Sequence, residues 1–344
     1  MESVRSRRTR FAIVGCGVIA GIHAQGIASI EEAELTAVCD RNRANALQLA
    51  ADSGAAVYER MEDLLRRDDI DVVVVSTPSG LHAEQTILAA QAGKHVLVEK
   101  PMAIRLEDAQ RMMEACRENG VSLATVFPRR MSPQAQYARS LIREGRLGKL
   151  SLCSAYVKLY RDQAYYDSAG WRGTWELDGG GAMMNQGIHT VDMLQWLAGP
   201  VRSIVGRTGA VLRDIEVEDT ALALLQFEHG AMGVLEITTT ACAGTGHRLE
   251  IHGEKGTLII EEDDIISLVI DGEPIALPAF EPFRVIPDGH RIQIRDMALA
   301  VQQRRTPVVT GEDGLPSLAI ILGTYRSSIS KAEVALLGGG AVVL

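Results

Sequence analysis

From residue 11 the chain alternates short apolar, β-branched runs with longer stretches whose apolar positions recur at helical spacing. That alternation predicts a parallel sheet wound by crossover helices. Strands are predicted at Phe11–Val14, Leu35–Asp40, Val72–Ser76, His95–Val98 and Ser122–Phe127, and helices over Ala44–Ser53, His82–Ala92 and Glu107–Asn119. The helices end near Gly54, Gly93 and Gly120, where a left-handed cap suits glycine. After Pro128 the pattern changes. One helix (Gln134–Glu144) precedes period-two runs at Leu150–Leu159, Ala221–Phe227, Gly233–Thr240, Leu249–His252, Gly256–Ile260 and Ile265–Ile270, which predict a mostly antiparallel sheet. Two late helices, about Ile292–Arg304 and Pro316–Val334, close the chain. The expected class is α/β: a doubly wound parallel sheet over 1–128, then an α+β domain over 129–344 with a large open, mostly antiparallel sheet.

The junction after the first strand sharpens this picture. Phe11–Val14 runs into Gly15-Cys16-Gly17-Val18-Ile19-Ala20. A strand that stops at a glycine turn and feeds a helix leaves backbone N–H groups free where the helix dipole favours a pyrophosphate, the arrangement of a Rossmann dinucleotide site. Gly15 makes the turn, Gly17 admits the phosphates, Val18 and Ile19 open the helix, and Ala20 lets helix pack on strand. By itself the loop also reads as an ordinary strand–helix turn. A second strand ending in Asp40 supplies the carboxylate that an adenosine ribose requires. Asp40 accepts from both ribose hydroxyls of NAD and repels a 2′-phosphate, whereas Arg41 beside it leaves NADP open.

Length and composition bound the function. The 344 residues exceed a single-domain size, and 47% hydrophobic with 23% charged residues is the composition of a soluble globular enzyme. A net charge of −9 argues against a nucleic-acid surface, and no apolar run approaches a membrane span. The five cysteines are scattered and lack metal-ligand spacing, so no metal is expected and a reducing, cytoplasmic setting is. Met1 to Arg10 is basic but holds no signal-length apolar segment and reads as a frayed tail.

Three clusters fall where a doubly wound sheet binds ligands or lead into a helix of their own. Ser76-Thr77-Pro78-Ser79-Gly80-Leu81-His82 follows a strand of four valines, placing Thr77 and Pro78 at the cofactor crevice and His82 at the next helix, although a capped loop is the plainer reading. Glu99-Lys100-Pro101 follows His95–Val98. A lysine there can hold a substrate hydroxyl and neutralise the alkoxide that develops as hydride leaves. The third runs from Asp178 through a triple glycine to Asn185, His189 and Asp192. The spacing sets these three polar residues on one helix face, with Met184, Ile188, Val191 and Leu194 on an apolar side. His189, with an ordinary pKa of about 6.5, can take a hydroxyl proton, and Asn185 or Asp192 can orient ring or substrate.

The order of these motifs resembles the glucose-fructose oxidoreductase/inositol dehydrogenase/MocA (Gfo/Idh/MocA) family, over essentially the whole chain. The resemblance implies a nicotinamide-dependent sugar or cyclitol oxidoreductase with Lys100 and His189 as its catalytic pair. It places Asn185 where the family commonly has aspartate; asparagine cannot act as a base, so it binds substrate hydroxyls. The loop and its flanks, Thr77, Pro78, His82, Glu99 and Lys100 become cofactor contacts. Arg129, where the family often has asparagine, and the Trp171-Arg172 pair join them. The segment around Trp171 with that around Asn185 is similar to a subgroup containing UDP-N-acetylglucosaminuronate 3-dehydrogenases, in which Arg161 would meet a carboxylate or phosphate. The resemblance also implies dimers or tetramers built on the open sheet, whose apolar face would carry Leu222, Leu224 and Val234 or their alternates. A nicotinamide-responsive binding protein without turnover is the alternative from another functional class.

Overall fold

A computed structural model describes residues 7–337 and 341–342. The chain divides into two compact units. The first comprises Met1–Ala103, Glu107–Pro128 and Arg284–Gly314; the second comprises Ile104–Leu106, Arg129–Phe283 and Leu315–Leu344. The change at 128/129 matches the shift in sequence pattern, but the single cut there is corrected by the later return of Arg284–Gly314 to the first unit.

The first unit holds strands β1 (Thr9–Val14), β2 (Ala33–Cys39), β3 (Ala56–Tyr58), β4 (Val72–Val75), β5 (His95–Val98) and β6 (Leu123–Thr125), all parallel, in the order β3-β2-β1-β4-β5-β6. The order reverses between β1 and β4, and Val14 pairs with Val75, so the glycine loop and Ser76–Pro78 leave the sheet side by side. Such a switch point is where ligands bind in this architecture. All four valines of β4 are fully buried, as expected of a central strand covered on both faces. The short strand β3 and the helix Met61–Leu65 escape periodicity because neither completes a recognisable repeat.

Packing explains why Arg284–Gly314 returns. The helix His290–Gln303 buries Ile294, Met297 and Ala298 completely against the core of β1 and the helix Val18–Ala28. Gly26 permits the contact, since a Cβ there would meet Ile294 Cδ1 at 2.6 Å. The basic start is only partly a tail: residues 1–6 lie outside the described residues, while Arg10 lies in β1, and Arg7 and Arg10 each reach Asp71 at 3.0 Å.

In the second unit β7 (Leu150–Lys158), β8 (Val201–Gly209), β9 (Thr220–Phe227), β10 (Met232–Thr238), β11 (Gly246–Gly253), β12 (Gly256–Glu261), β13 (Asp264–Ile270), β14 (Glu273–Pro274), β15 (Val334–Leu337) and β16 (Ala341–Val342) form one sheet ordered β14-β13-β12-β11-β7-β10-β9-β8-β15-β16. Pairing is antiparallel except between β7 and β10. The helices Ile188–Ala198 and Leu315–Ser330 cover one face. The last helix stops before Val334, whose segment becomes β15 and pairs with β8 at Ile204. Strand β8 escapes the sequence pattern because Arg202, Arg207 and two glycines dilute its apolar alternation.

The other face of this sheet is apolar and exposed. Along β9, Ala221, Ala223 and Leu225 point inward, while Leu222 and Leu224 are 49% and 61% exposed. Register sets Leu224 beside both Val205 and Val234, and Met232 beside Leu152, so the exposed groups form one patch across four strands. Among the described residues no helix is long and apolar enough to cross a membrane.

Candidate functional site

Gly15 has φ +89°, and a Cβ there would lie 2.7 Å from the backbone nitrogen of Thr77, so conformation and space both require glycine. A Cβ on Gly17 would meet nothing within 4 Å, and no side chain caps the helix that Gly17 begins. The open approach and uncapped N–H groups fit a pyrophosphate. Asp40 lies just past β2. Its Oδ2 accepts from the N–H of Cys16 at 2.8 Å and its Oδ1 from that of Asn42 at 2.7 Å, which fixes the carboxylate beside the loop and leaves lone pairs for ribose hydroxyls. Arg41 is exposed next to it. Thr77 is half-buried and donates to Gln85 Oε1 at 2.7 Å, with Pro78 following.

Two of the expected cofactor contacts in this unit, His82 and Glu99, are held by protein partners. His82 is buried, with Nδ1 2.8 Å from the carbonyl oxygen of Pro101 and Nε2 2.8 Å from that of Thr77. Burial pushes its pKa down, and the ring ties the Thr77 loop to the loop after Lys100 rather than presenting a nitrogen to a ligand. Glu99 is likewise buried. Burial works against its charge, but the bonds from His23 (2.8 Å) and His290 outweigh it and hold the carboxyl well below the ordinary range. Its Oε2 accepts the backbone N–H of Lys100 at 3.1 Å, so Glu99 anchors the lysine's backbone. The donor atoms of His23, Glu99 and His290 lie within 4.8 Å of one another, a spacing hydrogen bonding accounts for. Lys100 itself is half-buried.

In the second unit the run after the triple glycine begins as a wide turn, Ala182–Gly187, and continues as the helix Ile188–Ala198. Glu218, which sequence reasoning missed, holds that turn. Its two carboxylate oxygens take the N–H groups of Gly181 and Met183 at 2.8 Å each and the Tyr325 hydroxyl at 2.9 Å, while its carbonyl takes the N–H of Ala182. A Cβ on Gly181 would lie 1.7 Å from that carbonyl oxygen, so the glycine run serves this close approach. Burial pushes the Glu218 carboxyl up to about 7 against the bonds that favour its charge. The only sequence signal is a Glu-Asp pair just ahead of an apolar strand.

The three polar residues of the helix do not share one environment. Asp192 is buried and takes two bonds from Arg130, at 2.8 and 2.7 Å. Asn185 and His189 remain half-buried. Asn185 Nδ2 donates to Asp178 Oδ1 at 2.8 Å, and Asp178 Oδ2 accepts from the N–H of Gly173 at 3.0 Å. Arg129, expected against the cofactor, donates to the carbonyl of Glu262 at 2.7 Å and pairs with Asp263 at 3.0 Å.

Arg161 and Arg172 belong to a layer of arginines and aromatic rings that also includes Arg213, a residue no sequence motif singles out. Arg161 lies 5.1 Å from the Tyr165 ring centre; Arg172 lies 4.3 Å from the same ring and 4.7 Å from Trp171; Arg213 lies 5.2 Å from Tyr160. Arg213 Nε donates to the carbonyl of Arg161 at 2.7 Å. Asp219 does not neutralise this layer, because its carboxylate is bonded by the backbone N–H groups of Val211, Leu212 and Arg213. Among the described residues none of the three guanidiniums has a carboxylate partner, and buried nitrogens of all three lack a hydrogen-bond partner. The field is felt nearby: burial, Arg129 and Arg161 together push His247 down to about 3.

Comparison with known proteins gives the family. Residues 9–127 match the model of an oxidoreductase family with an NAD-binding Rossmann fold, and residues 135–259 match the GFO/IDH/MocA C-terminal domain. The WlbA dehydrogenase of Bordetella pertussis, solved with NADH and UDP-GlcNAcA, is 38% identical, with 96% of this chain and 99% of that one covered and a TM-score of 0.88. Its counterpart from Chromobacterium violaceum, in complex with the same two ligands, is 35% identical with 97% of each chain covered and the same TM-score. Myo-inositol 2-dehydrogenase of Thermotoga maritima is 27% identical, covering 95% of this chain and 98% of its own. With both halves matched and a relative above one-third identity along nearly the whole length, the chain belongs to the Gfo/Idh/MocA family of NAD-binding oxidoreductases.

Proposed function

We propose that the protein is an NAD-dependent dehydrogenase that oxidises a secondary alcohol of an anionic sugar, a uronate or a nucleotide-sugar. The observation that carries the substrate class is the arginine–aromatic layer: three guanidiniums without carboxylate partners in a protein whose net charge is −9. The three arginines are half-buried and each keeps one buried nitrogen without a hydrogen-bond partner, which a carboxylate or diphosphate would satisfy with charge-assisted bonds. The two relatives solved with UDP-GlcNAcA, a ligand carrying both groups, support it.

The glycine loop and Asp40 would hold NAD, which when bound would supply the hydride acceptor. Lys100 steadies the substrate oxygen and offsets the charge that develops there. His189 receives the hydroxyl proton and passes it to solvent. Asn185 holds an adjacent hydroxyl. Oxidation of the alcohol carbon to a carbonyl would give up one hydride to that acceptor and one proton to solvent through His189.

Single-turnover absorbance of the reduced nicotinamide, with NAD and a panel of UDP-sugars, free uronates, hexoses and inositols, tests this. Reduction by the anionic sugars alone is the expected result. Reduction by neutral hexoses or inositols alone overturns the substrate class, and NAD binding with no reduction by any compound returns the silent-binder reading.

The apolar patch on the second sheet is proposed to be covered by a second copy, because a contiguous exposed face of this kind is a self-association surface. Light scattering is expected to return at least twice the 37.2 kDa chain mass; a single-chain mass removes the proposal.

A further inference from the structure

Two consecutive carboxylates, Glu218 and Asp219, stand just ahead of β9 and are almost completely buried, at 2% and 0% exposure. We propose that they are positioning residues with separate tasks. Glu218 sets the turn that carries Asn185 and His189 and so governs the chemical step, while Asp219 sets the backbone that carries Arg213 and Arg161 and so governs binding of the anionic group. The division rests on the site residues of the proposed function.

Among the described residues neither carboxylate forms an ion pair; N–H and hydroxyl donors fill both. Glu218 Oε2 accepts from the N–H of Gly181 and Oε1 from that of Met183, at 2.8 Å each, and the Tyr325 hydroxyl adds a bond to Oε1 at 2.9 Å. The carbonyl of Gly181 in turn takes the N–H of Asn185 at 2.9 Å, so the residue that Glu218 grips is the one that closes the turn under Asn185. Asp219 faces another segment. Its Oδ1 accepts from Val211 N–H at 2.9 Å, and its Oδ2 from those of Leu212 and Arg213 at 2.7 and 2.9 Å. Its carbonyl accepts the N–H of Thr239 at 2.9 Å, and the carbonyl of Thr239 accepts that of Arg161 at 2.7 Å. Arg213 is thus held through the side chain of Asp219 and Arg161 through its main chain, and the bond from Arg213 Nε to the Arg161 carbonyl closes the set. An ionised carboxylate offers only acceptors, and here each meets only donors. Both oxygens of each group are occupied, so an amide of the same shape sets its NH2 against a buried donor whichever way it lies. One unsatisfied buried donor is enough to shift the population of a turn by about tenfold or more.

The test uses the full chain with Glu218→Gln and Asp219→Asn and reads two things. Hydrogen exchange followed by mass spectrometry needs no substrate. Glu218→Gln is expected to speed exchange about tenfold or more in 181–185 and to leave 211–213 as in the parent; Asp219→Asn is expected to do the reverse. Faster exchange in both segments in either variant, or in neither, overturns the division. Turnover with NAD and UDP-GlcNAcA as probe then separates the tasks. Glu218→Gln is expected to lower kcat about 10- to 100-fold with the smaller change in KM, and Asp219→Asn to raise KM by a similar factor with the smaller change in kcat. Equal changes in kcat and KM for both variants would show that the pair only braces the sheet. Should either amide variant fail to fold, Tyr325→Phe removes one hydroxyl donor from Glu218 and Thr220→Val removes one from Asp219. These are expected to give the same two signatures at about threefold. If the parent chain does not turn over the probe, the substrate reading has failed, and the exchange arm still decides what the two carboxylates hold.

Discussion

Lys100→Met lowers turnover by about 10³-fold while leaving NAD affinity within a few-fold of the parent chain. A positioned cation that offsets developing charge on oxygen, together with help in moving the proton, is worth about 10²–10⁴ in rate, which sets the size of the loss. Methionine keeps the length and apolar stem of the side chain and removes only the charge. The groups proposed to grip NAD are elsewhere, in the glycine loop and at Asp40, and the backbone of residue 100 keeps its bond to Glu99. Stopped-flow absorbance for kcat and fluorescence quenching for NAD affinity separate the two effects. A variant within tenfold of the parent would show that Lys100 is not part of the chemistry.

The second large effect concerns selectivity. Replacing Arg161 and Arg172 together by glutamine raises KM for an anionic sugar roughly 10²–10⁴-fold, since each lost charge-assisted bond is worth about 1.5–3 kcal/mol. It leaves any residual activity toward a neutral polyol within about threefold. Glutamine preserves much of the stacking on Tyr165 and Trp171, so the ratio of the two changes reports charge rather than packing. Equal losses on charged and neutral substrates would mean that these arginines only support the local structure.

Much of the first unit is legible in the sequence because its signals are local. A strand, a glycine turn and a helix are contiguous, and Asp40 follows from the end of the next strand. The helix with Asn185 and His189 is equally visible. What could not be read is the identity of partners distant in the chain. His82 looks like a ligand-facing histidine until the carbonyls of Thr77 and Pro101 are found on its two nitrogens. Glu99 looks available until His290, far along the chain, is found beside it. Asp192 has the spacing of the His189 face, but nothing in that spacing signals the Arg130 guanidinium that bonds it. Glu218 and Arg213 carry no motif at all, and only the backbone N–H groups and rings around them give them a role.

The return of Arg284–Gly314 to the nucleotide-binding unit has a consequence for biosynthesis. Its helix supplies Ile294, Met297 and Ala298 to the core beside β1, so a nascent chain released only as far as Pro128 holds an unfinished core. At translation rates of about 5–20 residues per second, that core waits roughly 10 to 35 s for its last helix to emerge. During that interval the open flank of the helix Val18–Ala28 is a surface for chaperones, and the first unit is completed only after residues 129–283 of the second have been synthesised.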